Sequence, residues 1–448
     1  MYDIIFLCSD TDHSRAAFSK LQERFPLIKR VIITDNIRTA FDQAVKKAFT
    51  KMFWVVWDNL EILDSFNFEY KVPEWDQEFI HVFRNGKYYD GVCLVPKLNK
   101  ITNRELDYRF FINKKEVDIL ASIPKPYNIF YVSTFEEYQT ALASSKTNMF
   151  WVVWNDLIVS SSFNFDYQVP YYDQTVVHVF RNGEYYDGIC LVPKKHKITS
   201  REINNRFFIN KKEIDIIASD PNLFDIVFIS YYEEFADSNF EKLKSRSPHR
   251  NIHRINGVVG IHNAHIEAAK LSTTNMFWVV DADAELVEDF DFNYQVPYYD
   301  QNMVHVWRSR NPINNLEYGY GGVKLFPKQL TIDMNTSTMD MTMNISNKFK
   351  VVDTVSNITA FNTSSFSTWR SAFRECCKLA VINNEEALSR LDAWCQLNED
   401  VPYGAHAYMG AIQGREYGER NATDPVALSK INDFTWLKDQ WSLERSQQ

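Results

Sequence analysis

Two aspartates one residue apart, Asp281-Ala282-Asp283, end an apolar run that reads Met276-Phe277-Trp278-Val279-Val280. By type and spacing they are the residues best suited to chemistry. A strand that ends in Asp-x-Asp delivers two carboxylates to the carboxyl edge of a sheet, where open α/β sheets bind their ligands. Hard oxygen donors there suit Mn²⁺ or Mg²⁺ and leave open positions for diphosphate oxygens. A cation so held would neutralise the charge that develops on a departing diphosphate. The same tripeptide also occurs as a plain cap or turn, so the elements that carry it have to decide.

Those elements recur. Phe-Trp-Val-Val begins at residues 53, 150 and 277, and each time a Val-Pro follows nineteen residues on (Val72, Val169, Val296) and a histidine twenty-eight residues on (His81, His178, His305). Each copy opens on an apolar strand, at Asp3, Asn128 and Asp225, and short β-rich runs then alternate with helical stretches and turn residues, an α/β pattern. Pro-bearing polar joints at Ser122–Pro126 and Ser219–Asn222 suggest three segments, 1–123, 124–221 and 222–448. The second is trimmed ahead of its Phe-Trp-Val-Val, and only the third continues for more than a hundred further residues. At the place of Asp281-Ala282-Asp283 the first copy has Trp57-Asp58-Asn59 and the second Trp154-Asn155-Asp156. Loss of the first carboxylate to tryptophan predicts that neither performs metal-dependent chemistry.

The stretch from Gly260-Ile261-His262-Asn263-Ala264-His265 through Asp281-Ala282-Asp283-Ala284-Glu285 resembles the GT-A glycosyltransferases, in which a helix with small residues and an asparagine precedes an apolar strand ending in Asp-x-Asp. The likeness covers residues 222–330. It implies a Rossmann-like GT-A domain, preceded by two degenerate α/β repeats of its N-terminal part, that moves a sugar from a nucleotide-sugar donor to an acceptor hydroxyl. It further implies Asp283 as a metal ligand with Asp281 beside it, contacting the metal or the donor ribose. Ser230 and Tyr231 fall where the family holds the base, and Asn263 on the helix that lines the donor pocket. Near the C-terminus, Asp400, with Glu399 second, stands where inverting members keep a catalytic base, and His406 where some members keep a late metal ligand. The repeated Val-Pro-Tyr-Tyr-Asp-Gln and the Asn-Asp-Phe-x-Trp-Leu segment resemble glycosyltransferase-like proteins of large tailed bacteriophages, which implies a hydroxymethylated base in phage DNA as one acceptor.

The third copy is also enlarged between Arg308 and Pro327, nineteen residues apart where the earlier copies have twelve. Its loop carries Arg308 and Arg310, which can pair with phosphate oxygens, and Gly321-Gly322, where a backbone without side chains can approach a ligand. Donor or acceptor contact is the expectation. The helical stretch 366–379, with Trp369, Phe373, Arg370 and Arg374, reads with the closing segment 428–441 as a docking element whose aromatics pack on the body.

Composition sets the outer limits. At 448 residues, with 45% hydrophobic and 24% charged residues, the chain is that of a globular protein with several cores. A formal charge of −9 argues against coating nucleic acid through a broad basic surface. Residues 1–221 carry 28 basic against 29 acidic side chains and the rest 21 against 29, so the acidic excess lies in the C-terminal half while Lys194-Lys195-His196-Lys197 forms a local basic cluster. The six cysteines show no CxxC or zinc spacing and read as buried thiols. No basic leader or long apolar run is present, so the expected location is cytoplasmic, without a membrane partner. A lectin-like array is the competing reading, but such an array would keep its carboxylates in every copy.

Overall fold

A computed structural model describes residues 1–34, 36–112, 114–207, 211–318, 322–335 and 341–445. The chain is α/β and divides into two compact units, Met1–Asn222 and Leu223–Gln448. The first unit holds two mixed sheets and the second holds one. The expected division at 123/124 falls in the first unit, between the strands Lys114–Ile123 and Asn128–Val132.

In the second unit the strand order is Ile252–Asn256, Asp225–Ser230, Met276–Asp281, Val323–Pro327, Val304–Arg310, Phe349–Thr359 and Ala284–Leu286, with Glu317–Tyr318 paired beside Val304–Arg310. The first three run parallel, and Val323–Pro327 lies antiparallel to both of its neighbours. The first sheet of the first unit has the same order from Lys29–Ile32 to Glu61–Ile62, and the second sheet has it without the outermost strand. In every sheet the Met-Phe-Trp-Val-Val strand is interior, and its five residues are at most 1% exposed. β-Branched and aromatic side chains suit a strand covered on both faces, which explains the continuous apolar run.

Most of the aromatic content is core. Trp54 packs edge-on to Phe66 and Phe68, Trp151 to Phe163 and Phe165, and Trp278 to Phe290 and Phe292. The recurring Val-Pro-x-x-Asp-Gln and histidine signature is a structural lock. In each copy the glutamine side chain donates to the valine carbonyl, at 3.1, 3.0 and 3.3 Å, across a short 3-10 turn. Buried His81, His178 and His305 reach the backbone carbonyls of Asp76, Asp173 and Asp300 at 3.1 to 3.2 Å. Lys115, Lys212 and Lys350 pair with the three aspartate side chains.

The second unit adds helices Ser365–Ile382, Glu385–Trp394, Gly404–Arg420 and Phe434–Arg445. Ser364 and Asn384 cap the first two, their side chains accepting from backbone N–H groups. The helix Gly404–Arg420 crosses Ser365–Ile382 so closely that a Cβ at Gly418 would lie 2.5 Å from the Cys377 carbonyl oxygen. Cβ atoms at Gly410 and Gly414 would lie nearer still to the carbonyls of Trp369 and Phe373. The enlarged loop ties this helical layer to the sheet: buried Ile313 joins the cluster of Ala372, Cys376 and Leu391, and Asn398 donates to the Ile313 carbonyl at 2.8 Å. All six cysteines are free, five of them buried. Among the described residues no helix is long and apolar enough to cross a membrane.

Because backbone carbonyls meet a glycine stripe, the helix contact has no slack. Gly414→Ala is expected to lower unfolding stability by about 2 kcal/mol, as overpacked cores do, and urea unfolding followed by tryptophan fluorescence measures it. A shift under about 0.5 kcal/mol would mean that the two helices separate freely.

Candidate functional site

The strand Met276–Asp281 ends beside the start of Val323–Pro327, and four elements then hold the Asp-x-Asp backbone. The Gly322 carbonyl accepts from Asp281 N at 2.8 Å, and the Ile229 carbonyl from Ala282 N at 2.9 Å. Asn239 donates through Nδ2 to the Ala282 carbonyl at 2.9 Å, and Ala360 N donates to the Asp283 carbonyl at 2.8 Å. A Cβ at Gly322 would stand 2.6 Å from Asn357 Nδ2 and 2.8 Å from Ala284 Cβ, so only glycine lets this backbone approach.

Both carboxyls are raised above the ordinary aspartate range. Burial lifts Asp281 to about 6, opposed by Lys324, whose ammonium is 3.9 Å from Oδ2, and reinforced by Asp283 and Glu233. Burial also raises Asp283, reinforced by Glu233 and opposed by its own backbone, Lys324 and Arg370. Among the described residues no group of three or more His, Cys, Asp and Glu side chains could hold a metal ion by itself. Two desolvated, mutually repelling carboxylates are a hard-oxygen donor set that fits Mg²⁺ or Mn²⁺, ions commonly held by one or two carboxylates and completed by substrate phosphates and water.

Asp283 opens onto a cleft of about 470 Å³. On its sheet side lie Glu233 and Glu234 after the strand Asp225–Ser230, and Arg310 and Asn311 at the end of Val304–Arg310. The facing wall is the helix Ser365–Ile382, which presents Arg370, Arg374 and Lys378 at four-residue spacing, with Ser371 and Glu375 between them and Ser367 one turn before. Positions four apart share one helix face, and the glycine contact along the adjoining line of Trp369, Phe373 and Cys377 sets the rotation that turns this stripe toward the cleft. Arg370 lies over the rings of Phe366 and Phe434 at 5.9 and 5.3 Å, and Arg374 donates to Asn432 at 2.9 Å. The Nε–H of each is buried without an acceptor, and burial lowers both pKa values. Phosphate oxygens would satisfy those donors. Burial pushes the Glu375 carboxyl up to about 7 against the pull of Lys378 and Arg374, while Arg390 fixes its position at 3.0 Å.

Several expected residues lie elsewhere. Ser230 is 2% exposed and spends its hydroxyl on Asn256 at 2.8 Å, and Tyr231 is an exposed ring against Tyr232. Asn263 is exposed and donates to the Val259 carbonyl at 3.1 Å, closing the turn before its own helix. Arg308 points to solvent in an ion pair with Asp353 at 2.8 Å, and its neighbour Arg310 is the one that reaches the cleft. Gly321 lies outside the described residues, and Gly322 contributes a carbonyl to the Asp281 backbone. Glu399 and Asp400 sit exposed on the turn before Gly404–Arg420, and neither lines the cleft. His406 packs against Trp441 and Tyr403 at ring distances of 5.7 and 6.1 Å, also away from the cleft-lining residues.

Arg370, Arg374, Glu375, Glu233 and Lys324 were not among the candidates. The basic stripe at 370, 374 and 378 interleaved with Ser367 and Ser371 was the available signal, since a helix face meant only for docking has no use for buried guanidinium groups.

The first unit fills the equivalent position differently. Arg109 and Arg206 donate to Asn59 Oδ1 and Asp156 Oδ2, each at 2.6 Å, and lie 4.7 and 5.2 Å over the rings of Trp57 and Trp154. A guanidinium from the same chain thus occupies the strand tip in both sheets.

No family model matches the chain, and no curated protein matches it. Among solved structures, 30% of the chain is similar to 71% of HddC from Yersinia pseudotuberculosis, with 13% identity and a TM-score of 0.20. Another 29% match covers 50% of the bifunctional IspDF from Campylobacter jejuni, with 12% identity and a TM-score of 0.21. A third, of 30%, covers 90% of a 4-diphosphocytidyl-2C-methyl-D-erythritolsynthase from Anaerococcus prevotii, with 11% identity and a TM-score of 0.20. Likeness at this level carries no argument about chemistry.

The raised Asp281 pKa has a consequence without any ligand. Its folded value of about 6 stands above the ordinary 3.8, so ionisation opposes folding above pH 6, and the opposition fades as pH falls from 6 toward 4. With no divalent cation added, Asp281→Asn is expected to melt at a higher temperature than the parent at pH 8, with the gap closing by pH 4 to 5. Calorimetric scans across pH measure it, and an equal gap at all pH values would refute the assignment.

Proposed function

We propose that the second unit is a metal-dependent glycosyltransferase of the GT-A kind, moving a sugar from a nucleotide-sugar donor to an acceptor hydroxyl. The observation that carries this reading is one cleft walled by Asp283 on one side and by Arg370, Arg374 and Lys378 on the other. Such a pairing suits a diphosphate: hard acidic donors for its counter-ion and buried guanidinium groups for its oxygens. The first unit, on this reading, descends from two partial copies of the same domain.

Asp281 and Asp283 would hold Mn²⁺ or Mg²⁺, which supplies charge neutralisation for the leaving nucleoside diphosphate. Arg370 and Arg374 orient the phosphates by hydrogen bonds from donors that have no other acceptor, and their desolvation strengthens those bonds. The bond between the sugar's anomeric carbon and the diphosphate oxygen breaks, with its electron pair leaving on the diphosphate. The acceptor oxygen bonds to that carbon, and its proton passes to a base. Glu375, raised to about 7 in the cleft wall, is the carboxyl whose affinity for a proton suits that step near neutral pH. The acceptor proposed from the phage resemblance is a hydroxymethylated base in DNA.

Incubation with a panel of nucleotide sugars, with Mn²⁺ or with chelator, and with hydroxymethylated DNA or without it, tests the proposal by release of nucleoside diphosphate. Asp283→Ala is expected to abolish release and Arg370→Ala to reduce it by about 10²-fold or more, with both variants folded by circular dichroism. Asp156→Ala should leave turnover intact while it lowers the melting temperature, because buried Arg206 loses its carboxylate. Donor binding with no release in any combination would favour the carbohydrate-binding alternative.

A further inference from the structure

We propose that the first unit carries a second small-molecule site, one that takes a phosphorylated sugar and uses lysines in place of a metal ion. A cavity of about 460 Å³ opens at the carboxyl ends of its first sheet. It is floored by Ser9, Thr11, His13 and Ser14 after the strand Asp3–Cys8, by Asp58 and Asn59 after Met52–Trp57, and by Asn85 at the end of Ile80–Asn85. These are the sequence counterparts of the segments that floor the cleft of the second unit: the loop after Asp225–Ser230, Ala282-Asp283, and Ser309. Helices close that cleft, whereas this cavity is walled by Lys125, Tyr127, Lys146, Gln168, Gln174 and Lys194 from the half of the unit that holds the second sheet.

The chemistry of the floor has changed in a consistent direction. Asp58 Oδ2 already accepts from Ser9 N at 2.9 Å, Ser9 Oγ at 2.8 Å and Ser14 Oγ at 2.7 Å, so its charge is met by local donors. Asn59 is engaged by Arg109. Asp58 is the one carboxylate among the described lining residues, and the other formal charges there belong to Lys125, Lys146 and Lys194. Lys125 Nζ is 2.8 Å from His13 Nε2. A cavity of that balance attracts an anion.

Two further groups call for hydroxyl donors. The side-chain carbonyl oxygens of Gln168 and Gln174 are buried without a hydrogen bond, and the Gln174 amide nitrogen is already committed to the Val169 carbonyl at 3.0 Å. Buried acceptors of this kind are satisfied by water or by a ligand's hydroxyls. Hydroxyls together with a phosphate describe a phosphorylated sugar, and the volume suits one. This site shares no residue with the transferase cleft, so it stands or falls separately from the function proposed above.

Isothermal titration of the full-length chain, with chelator present, against a panel of hexose 1- and 6-phosphates tests it, with glucose and inorganic phosphate as controls. At least one hexose phosphate is expected to bind about tenfold or more tightly than either control, and Lys146→Ala or Lys125→Ala to weaken it about tenfold, the loss of a charged hydrogen bond. Lys146 is exposed, and circular dichroism checks that the variants fold. Asp283→Ala should bind as the parent does. Binding that no hexose phosphate shows, that inorganic phosphate equals, that survives both lysine changes, or that Asp283→Ala removes would overturn the proposal.

Discussion

Negative charge at the tip of a buried strand has to be answered by a cation, and the molecule answers it in more than one way. In the second sheet Asp156 meets the guanidinium of Arg206, which is 5% exposed and covered by Trp154. In the first sheet Asn59 stands at that place, and Arg109 reaches it across Trp57. Both arginines sit at positive φ, 47° in each case, in a turn whose next residue is also left-handed. That backbone conformation is unfavourable for bulky side chains, and the buried hydrogen bond and ring contact offset it. In the second unit two aspartates stand at the same place, with Lys324 3.9 Å from Asp281 and Arg370 acting on Asp283 from the facing wall. The result is a raised proton affinity on both carboxyls, with burial as its largest cause.

Position on the facing wall depends on backbone contact far from any ligand. Gly410, Gly414 and Gly418 allow two helices to meet through carbonyl oxygens, and this fixes the rotation of Ser365–Ile382. One face of that helix then belongs to Trp369, Phe373 and Cys377, which pack with Leu437 and Trp441. The adjoining face, about 100° further round the helix, is left to Arg370, Arg374 and Lys378. The inserted loop serves both layers, with Ile313 in the helical core and Arg310 and Asn311 in the cleft. Site geometry and helix packing are therefore one problem in this unit, and a change in either should move the other.

Much of the sheet architecture was legible in the chain. The Met-Phe-Trp-Val-Val runs read as interior strands because their side chains are apolar on both faces, and the Asp-x-Asp position at a strand end follows from that alone. Residues that act through local backbone geometry were harder to assign. Ser230 and Asn263 have the polarity of ligands, yet their partners are Asn256 and the Val259 carbonyl. His406 has the chemistry of a metal ligand, but the closing helix sets Trp441 against its ring.

By itself the sequence determined the three interior strands, the loss of the paired carboxylates in the first two and their presence in the third, since each of these is a matter of residue type at a fixed spacing. Tertiary structure alone decided which basic residues face the aspartates. Arg308 and Arg310 lie two apart along one strand, but Arg308 pairs with Asp353 and only Arg310 enters the cleft. Arg370 and Arg374 lie 89 and 91 residues beyond Asp281 and Asp283 respectively, brought there by a helix contact whose specificity lies in glycines and backbone carbonyls. The glycines at 410, 414 and 418 mark one side of that contact in the sequence, but the partner helix meets them through backbone carbonyls common to every residue, so its side chains do not name it.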